Sequence, residues 1–342
     1  MEQVLQALIM EDSLMPNFSG MWTIREQGVA LQGGRWSSPP EIFQQIALFY
    51  GGSVGSGGIN QIDQRNLAST GNASDFGDMS TGASGVGAAG NTTRAVYSLG
   101  QTGAPNYVVN TLEYVTFASA GNGADFGDLT TVRQLAGCAS NHTRGIYGSG
   151  ENATSTVNTM DFVVLNTLGN ASDFGDMTVT KSYRASCSSP TRGIWAGGTA
   201  AQVNVIDFVV TASAGNASDF GDLLATNYGF GGVSNATRGI FGGGHGSGSP
   251  YSNVIQYITM ASAGNSQDFG DLTQARYTLT SASGQTKGVW AGGIAASTTY
   301  VNTIDQVVIT SLGNATDFGD LVNARGYMGG SSGVSSSHGG LA

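Results

Sequence analysis

The sequence predicts an all-β protein: a six-bladed β-propeller of four-stranded blades, preceded by a short N-terminal segment. Three observations lead there. The tetrapeptide Asp-Phe-Gly-Asp recurs six times, at Asp75, Asp125, Asp173, Asp219, Asp268 and Asp317, with spacings of 50, 48, 46, 49 and 49 residues. A period of that length marks a propeller blade or a solenoid coil, and a ring is preferred because it leaves only short, protected strand edges. Each repeat also holds about four short β-branched or aromatic runs bounded by Gly, Asn and Ser, and no window in the repeats sustains a helical period. Finally, the first repeat begins midway, at Ala47-Leu-Phe-Tyr-Gly-Gly52, and the last stops midway, soon after Arg325-Gly-Tyr-Met-Gly-Gly330. Each end supplies what the other lacks. Six repeats therefore close into six blades if one blade takes its inner strand from about 325–335 and its outer three from about 47–79.

Within the repeat, several columns keep a fixed count. Twelve residues before each Asp-Phe-Gly-Asp lies an acid or its amide: Asp63, Glu113, Asp161, Asp207, Gln256 and Asp305. Three residues earlier stands Asn60, Asn110, Asn158, Asn204, Asn253 or Asn302. Nineteen residues after the motif comes a base (Arg94, Arg144, Arg192, Arg238, Lys287), then an aromatic three further on (Tyr97, Tyr147, Trp195, Phe241, Trp290). Six beyond the base is Gly100, Gly150, Gly198, Gly244 or Gly293. The aromatic and Phe columns are predicted to be interblade core, the glycines to adopt positive φ or a close backbone approach, and the Asn column to bond backbone at hairpin ends. The Asp and Arg columns are predicted to form a ring of buried or half-buried ion pairs and turn caps.

Residues 1–45 differ from the repeats that fill 46–342. Val4, Leu5, Leu8 and Ile9 share one helical face, and Trp22, Trp36 and Pro39-Pro40 follow. The segment is too short for its own core, so Leu5, Leu8, Ile9, Trp22 and Trp36 are predicted to anchor the chain to another subunit; docking along the propeller is the alternative. Met1-Glu2-Gln3 lacks the basic start of a secretory leader.

Composition narrows the function. With 40% hydrophobic residues the chain can bury a sizeable core, yet only 11% are charged and the net charge is −10. That charge argues against a nucleic-acid partner, which needs clustered Lys and Arg. No apolar run reaches the roughly 18 residues of a transmembrane helix, so membrane insertion is not expected. Cys138 and Cys187 cannot form a disulfide framework and read as small buried residues. Asp-Phe-Gly occurs without the other protein-kinase motifs. Gly51-Gly-Ser53-Val-Gly55 matches a nucleophile elbow in wording but lacks the strand-to-helix context. His142, His245 and His338 fall at different repeat positions without metal-ligand spacing, and the paired carboxylates of Asp-Phe-Gly-Asp are a weak calcium signal. Asn-x-Ser/Thr sequons such as those at Asn72 and Asn314 read as turn chemistry. No catalytic residue, metal or cofactor is expected.

The spacings carry the functional clue. From Asn to Asp-Phe-Gly-Asp the distance is always 15, and from there to the base always 19; from the base to the next Asn it is 16, 14, 12, 15 and 15. All length variation therefore sits in one loop per repeat, at about 53–59, 101–109, 151–157, 199–203, 245–252 and 294–301. Equivalent loops of a propeller gather on one face, and loops that vary on a fixed scaffold are where binding specificity resides. Tyr107, Tyr251, Tyr300 and His245 are the loop residues best able to stack on a sugar or a partner surface.

The order Gly-Gly, Asn-x-hydrophobic-Asp, aromatic, then Arg resembles a kelch repeat over residues 46–342, with Phe of Asp-Phe-Gly-Asp where kelch usually has Trp. The wording Gly-Asn-Ala-Ser-Asp-Phe-Gly-Asp-Leu is also similar to repeats in virion proteins of tailed phages, especially marine cyanophages. The kelch resemblance implies that the variable loops help form a ligand-binding face. The phage resemblance implies a virion location, as part of a tail fibre, tail tip or head appendage. Together they lead to the expectation of a non-enzymatic kelch-like propeller. Residues 1–45 would attach it to other virion proteins, and the loop face would meet a host surface glycan or protein. The alternative is a structural decoration of capsid or tail with no host ligand. An enzymatic rival needs an acid pair or a His–Tyr site that breaks the sixfold pattern, and the sequence offers no clear candidate.

Overall fold

The computed structural model describes residues 45–55, 57–103, 107–199, 203–246 and 250–333. Leu5, Leu8, Ile9, Trp22 and Trp36, the predicted anchor, lie outside the described residues. Six four-stranded antiparallel sheets form the blades of a β-propeller. Blade 4 shows the pattern: Ala185–Ser188 innermost, then Arg192–Ala196, Val205–Val210 and Ser218–Asp222. Inner strands Gly87–Gly90, Gly137–Ser140, Gly231–Ser234 and Thr280–Ser283 open blades 2, 3, 5 and 6. Blade 1 is composite. Its inner strand, Gly329–Ser332, comes from the end of the last repeat, and its other three, Ile46–Tyr50, Ile59–Asn66 and Ser74–Ser84, come from the first. Ala47 pairs with Ser332 and Tyr50 with Gly329, which is the closure predicted from the two half repeats. Among the described residues no helix is long and apolar enough to cross a membrane.

The inner strands pack on one another in a closed cycle around the axis. Only small residues fit six strands into that space, which explains Gly-Ala-Ala-Gly, Gly-Cys-Ala-Ser and Gly-Gly-Ser-Ser at these positions. Their serines join the blades. The Ser140 hydroxyl donates to Gly90 O at 2.8 Å and that of Ser234 to Ser188 O at 2.7 Å, while Ser188 and Ser283 hydroxyls accept from the N–H groups of Ser140 and Ser234.

The apolar core divides into six clusters, each lying in the seam between two adjacent blades. Trp195 fills the seam between blades 3 and 4, and its indole donates across it to Gly137 O at 2.9 Å; Trp290 does the same to Gly231 O between blades 5 and 6. Both are fully buried. The aromatic and Phe columns are thus interblade core, as the repeat pattern predicted. The glycines after the aromatic strand, from Gly52 to Gly293, all have positive φ. Cys138 and Cys187 are buried free thiols, and burial pushes both up.

Asp-Phe-Gly-Asp has a role that its composition alone does not disclose. The outer strand of each blade is clasped by the Gly-Asn-x turn that precedes the outer strand of the next blade. In the first bond, the turn glycine donates to the motif Phe carbonyl, as Gly215 does to Phe174 at 2.7 Å. Two positions on, a second N–H donates to the carbonyl of the motif's last Asp, as Ala217 does to Asp176 at 2.8 Å. The turn Asn accepts from that Asp's N–H, at 3.0–3.2 Å in all six blades. The motif glycine makes this approach possible. Its φ lies between +139° and +156° in every copy, and a side chain there would overlap the neighbouring turn; a Cβ on Gly175 would sit 2.6 Å from the Gly215 backbone.

Two alanine substitutions separate these effects. Gly169, at φ +150°, has open space around its missing Cβ, so Gly169→Ala is expected to lose only the backbone cost, about 1–3 kcal/mol. Gly175→Ala is expected to lose a similar amount plus ~1 kcal/mol for each clasp bond broken. Urea denaturation of the two variants measures the difference; equal losses would remove the clasp from the account.

Candidate functional site

The loops between second and third strands lie on the face where the chain crosses from one blade to the next. Each leans on the linker that enters its own blade. Ser53 bridges to Gly326, Glu151 to Gln134 and Ile294 to Tyr277; Gln101 pairs with Ser84 and His245 with Tyr228; Thr199 N–H donates to Ser182 O at 3.0 Å. Loops and linkers thus form one surface around the axis.

At its centre is a ring of six residues in the left-handed region: Gly85, Leu135, Tyr183, Gly229, Thr278 and Tyr327, with φ between +53° and +66°. Five of the six links of a head-to-tail backbone ring are made. Gly85 N–H donates to Tyr327 O, Leu135 to Gly85, Gly229 to Tyr183, Thr278 to Gly229 and Tyr327 to Thr278, at 2.6–3.0 Å. Four of the six positions carry side chains in a conformation that costs non-glycine residues about 1–2 kcal/mol each. For β-branched Thr278 it is an outlier. Directly inside the ring, the axis opens into a cavity of about 110 Å³ that these six residues line together with the first residues of the inner strands.

The mouth of this cavity is unequal. Blades 4, 5, 6 and 1 contribute tyrosines from their linkers, Tyr183, Tyr228, Tyr277 and Tyr327. Tyr183 meets Tyr228 and Tyr327 edge to face at 5.9 and 6.1 Å, and Tyr228 meets Tyr277 at 6.4 Å. The loops add His245, stacked on Tyr228 at 4.7 Å, and Tyr251, against Tyr277 at 5.7 Å. Blades 2 and 3 carry Gly85 and Leu135 in the ring positions, with a polar edge where Gln134 Nε2 and Ser182 Oγ donate to the Glu151 carboxylate. Burial, then the neighbouring phenols, pushes Tyr327 up, and burial likewise raises Tyr183. Both hydroxyls are therefore neutral donors over the physiological range.

Of the predicted ligand residues, His245 and Tyr251 join this cluster. Tyr300 is half-buried at its margin, with its hydroxyl 3.4 Å from Ser53 Oγ. Tyr107 stands apart at 62% exposure in the small hairpin of blade 2, without a ring contact among the described residues. The linker tyrosines were missed. They form no single column: Tyr183 and Tyr327 stand ten residues after the first Asp of Asp-Phe-Gly-Asp, Tyr228 and Tyr277 stand nine, and the linkers with Gly85 and Leu135 hold no tyrosine.

Buried charge holds the linkers in place. Arg133, Arg184, Arg276 and Arg325 are fully buried, and each pairs with the acid of the blade it enters: Asp161 at 2.8 Å, Asp207 at 2.6 Å, Asp305 at 3.1 Å and Asp63 at 3.2 Å. Each lies within two residues of a ring or mouth side chain, so the pair fixes the backbone that presents it. The predicted ion-pair ring exists, but not with the predicted bases. Arg94 lies opposite Thr116, three residues or about 10 Å along the strand from Glu113, which is too far to pair. Arg94, Arg144, Arg192 and Arg238 instead sit over Tyr114, Phe162, Phe208 and Tyr257 at 4.3–5.0 Å and donate to carbonyls of the next blade. The first Asp of each Asp-Phe-Gly-Asp (Asp75, Asp125, Asp173, Asp219, Asp268, Asp317) is exposed, and among the described residues none forms a salt bridge.

Where the arginine is missing, the acid changes too. Blade 5 has Asn227 in place of the arginine and neutral Gln256 in place of the acid, with Leu224 N–H and the Ser266 hydroxyl donating to the Gln256 oxygen. In blade 2, Ala83 takes the arginine position, and Glu113 accepts from Ser80 and the Tyr97 hydroxyl. Asp63 is the least satisfied. In blades 3, 4 and 6, Thr130, Thr178 and Thr273 hydroxyls donate to Oδ1 of the acid. Val322 stands at that place for Asp63, offers only its N–H to Oδ2, and leaves the buried Oδ1 without a partner.

No protein-family model matches the chain, and no curated protein matches it.

The charge columns generate two predictions. Arg276→Asn strands the Asp305 carboxylate and is expected to cost about 3–5 kcal/mol. Adding Asp305→Gln recreates the neutral pair of blade 5 and should recover more than half of that loss in a double-mutant cycle. Val322→Thr supplies the missing hydroxyl and should stabilise by ~1 kcal/mol. Burial, opposed by Arg325, holds the Asp63 carboxyl above its usual range. The native state thus binds that proton more tightly than the unfolded chain. The resulting stability is present below the unfolded carboxylate value and lost as pH rises through the raised native value. The Val322→Thr gain, a bond to the carboxylate, should therefore shrink as pH falls and Asp63 is protonated. Denaturation at pH 7 and pH 4 tests this.

Proposed function

We propose that the protein is a non-enzymatic binding module that recognises carbohydrate on a host surface through the mouth of its loop face, and that it does so as a displayed part of a phage particle. One observation carries the binding reading: a half-ring of tyrosine and histidine side chains that breaks the sixfold repeat and faces a polar edge. A pyranose has an apolar face that stacks on aromatic rings and a rim of hydroxyls that bond neutral phenols and a carboxylate. The mouth offers both kinds of contact side by side. The phage setting, and attachment to other virion proteins through residues 1–45, rest on the wording of the repeats. A second reading, structural decoration, draws on the apolar side chains left exposed around the ring, such as Leu168 and Leu312 at 56% and 59% exposure.

A glycan and host-polysaccharide array of the full chain tests the proposal. Tyr277→Ala, which removes the ring that joins Tyr228, His245 and Tyr251, should lower the signal at least tenfold, while Tyr107→Ala should leave it unchanged. Absence of signal from folded protein favours decoration. Loss in Tyr107→Ala alone would move the site to the hairpin of blade 2.

A further inference from the structure

We propose that the mouth recognises an ammonium group on its outer surface, and that the sugar it takes is a hexosamine with a free, protonated amine. This rests on the carbohydrate reading above and names the sugar class. Charge is the first argument. The bases outside the buried ion pairs are sorted by face. Arg94, Arg144, Arg192, Arg238 and Lys287 open the second strand of their blades, and Arg65 lies opposite Ala47, so all six sit at the end of the sheet away from the loops. Among the described residues only Lys181, in the linker of blade 4, is left on the loop face. The acids lie the other way. The last Asp of every Asp-Phe-Gly-Asp stands opposite the start of a third strand, at the loop-face end of its blade, as Asp222 does opposite Val205. Glu151 joins them at the mouth, and among the described residues neither it nor any of these aspartates forms a salt bridge. The loop face is therefore electronegative, which draws in cations and repels anions.

The side chains at the mouth suit the same group. The face of an aromatic ring attracts a cation held within about 6 Å of its centre. Tyr183, Tyr228, Tyr277, Tyr327, Tyr251 and His245 are all half-buried, so each keeps part of its surface in solvent. Glu151 supplies the counter-charge. Gln134 Nε2 donates to one of its oxygens at 3.1 Å and Ser182 Oγ to the other at 3.0 Å, which fixes the carboxylate and leaves each oxygen a further lone pair for an N–H donor. Ser182 precedes Tyr183 in the chain. After burial and Tyr327, the Glu151 charge also raises the Tyr183 phenol, so carboxylate and ring are near neighbours. A protonated amine at this edge meets ring faces and a carboxylate together. A hydroxyl gains only the hydrogen bond, and an acetamido group carries no charge.

The test uses the full chain at pH 7 with four probes: the disaccharides of glucosamine, N-acetylglucosamine and glucose, and choline as an ammonium without a sugar. Titration calorimetry gives affinity, and NMR of the His245 ring protons locates the site. The glucosamine disaccharide should bind about tenfold tighter than the other two sugars and shift the His245 signals. Its affinity should fall about fivefold between low and high salt, while that of the neutral sugars stays constant. Glu151→Gln should reduce the preference for the amine to about threefold or less. If that variant does not fold, the salt dependence and the His245 shift of the natural chain decide the matter. Equal binding of the three sugars, or a preference that Glu151→Gln leaves unchanged, overturns the amine site and leaves the carbohydrate reading standing. So does an amine preference that leaves His245 unshifted, which is general attraction to an acidic protein. Choline bound at His245 with no sugar bound keeps the ammonium site and overturns the carbohydrate reading. No binding of any probe by folded protein overturns both.

Discussion

The outer strand of each blade carries a glycine whose α-carbon is pressed against the backbone of the next blade's turn, and the propeller depends on that approach. It brings two main-chain N–H groups and one asparagine to the end of every outer strand, so the edge that would otherwise be left open is paired. The seams behind it then close to packing distance, and the aromatic columns fill them. At the axis, six strands of small residues are joined by serine hydroxyls. A blade is thus held at both radii, by backbone contact at the rim and side-chain-to-backbone contact at the centre. Charge acts across the seams through Arg94, Arg144, Arg192 and Arg238, and it acts at the linkers.

There the buried arginines set the geometry of the face. A guanidinium with no exposure is tolerable only where carboxylate and carbonyl oxygens surround it, and these oxygens belong to the blade that the linker is about to enter. The linker is consequently held in place, and within two positions of each arginine a residue takes the left-handed conformation of the axial ring, which Gly85 and Gly229 adopt in the two linkers without an arginine. Four successive linkers carry a tyrosine, Tyr183 and Tyr327 in the ring and Tyr228 and Tyr277 just before it, while the linkers with Gly85 and Leu135 carry none. A scaffold of near-sixfold symmetry so presents a mouth with no symmetry at all.

The fold could be read from the sequence because a ring repeats each geometric demand six times. Asp-Phe-Gly-Asp, the aromatic column and the half repeats at Ala47 and Arg325 each appeared as a column or an end, and each corresponds to one physical task. The buried arginines were not legible. Three of them share one repeat position, but in blade 4 that position holds Lys181, and the pairing falls to Arg184, three residues on. Proximity to the acid is set by how the linker turns, which spacing does not encode. The candidate site was half legible. Variable loop length pointed to the face that carries the tyrosine cluster and to His245 and Tyr251, but the mouth tyrosines lie in linkers of constant length, and Tyr107 drew notice only through its exposed loop.

The composite first blade has a mechanical meaning. Ile46–Tyr50 and Gly329–Ser332 run antiparallel, with Ala47 opposite Ser332, so the incoming and outgoing chain leave the sheet at the same end of the pair. Heat or denaturant must break a whole blade with its two seams to open the ring. Tension applied between the two exits acts differently. It peels the pair from one end, loading one pair of hydrogen bonds at a time instead of shearing them together. The same closure is therefore a lock in solution and a zipper under force, and the direction of pulling selects between them.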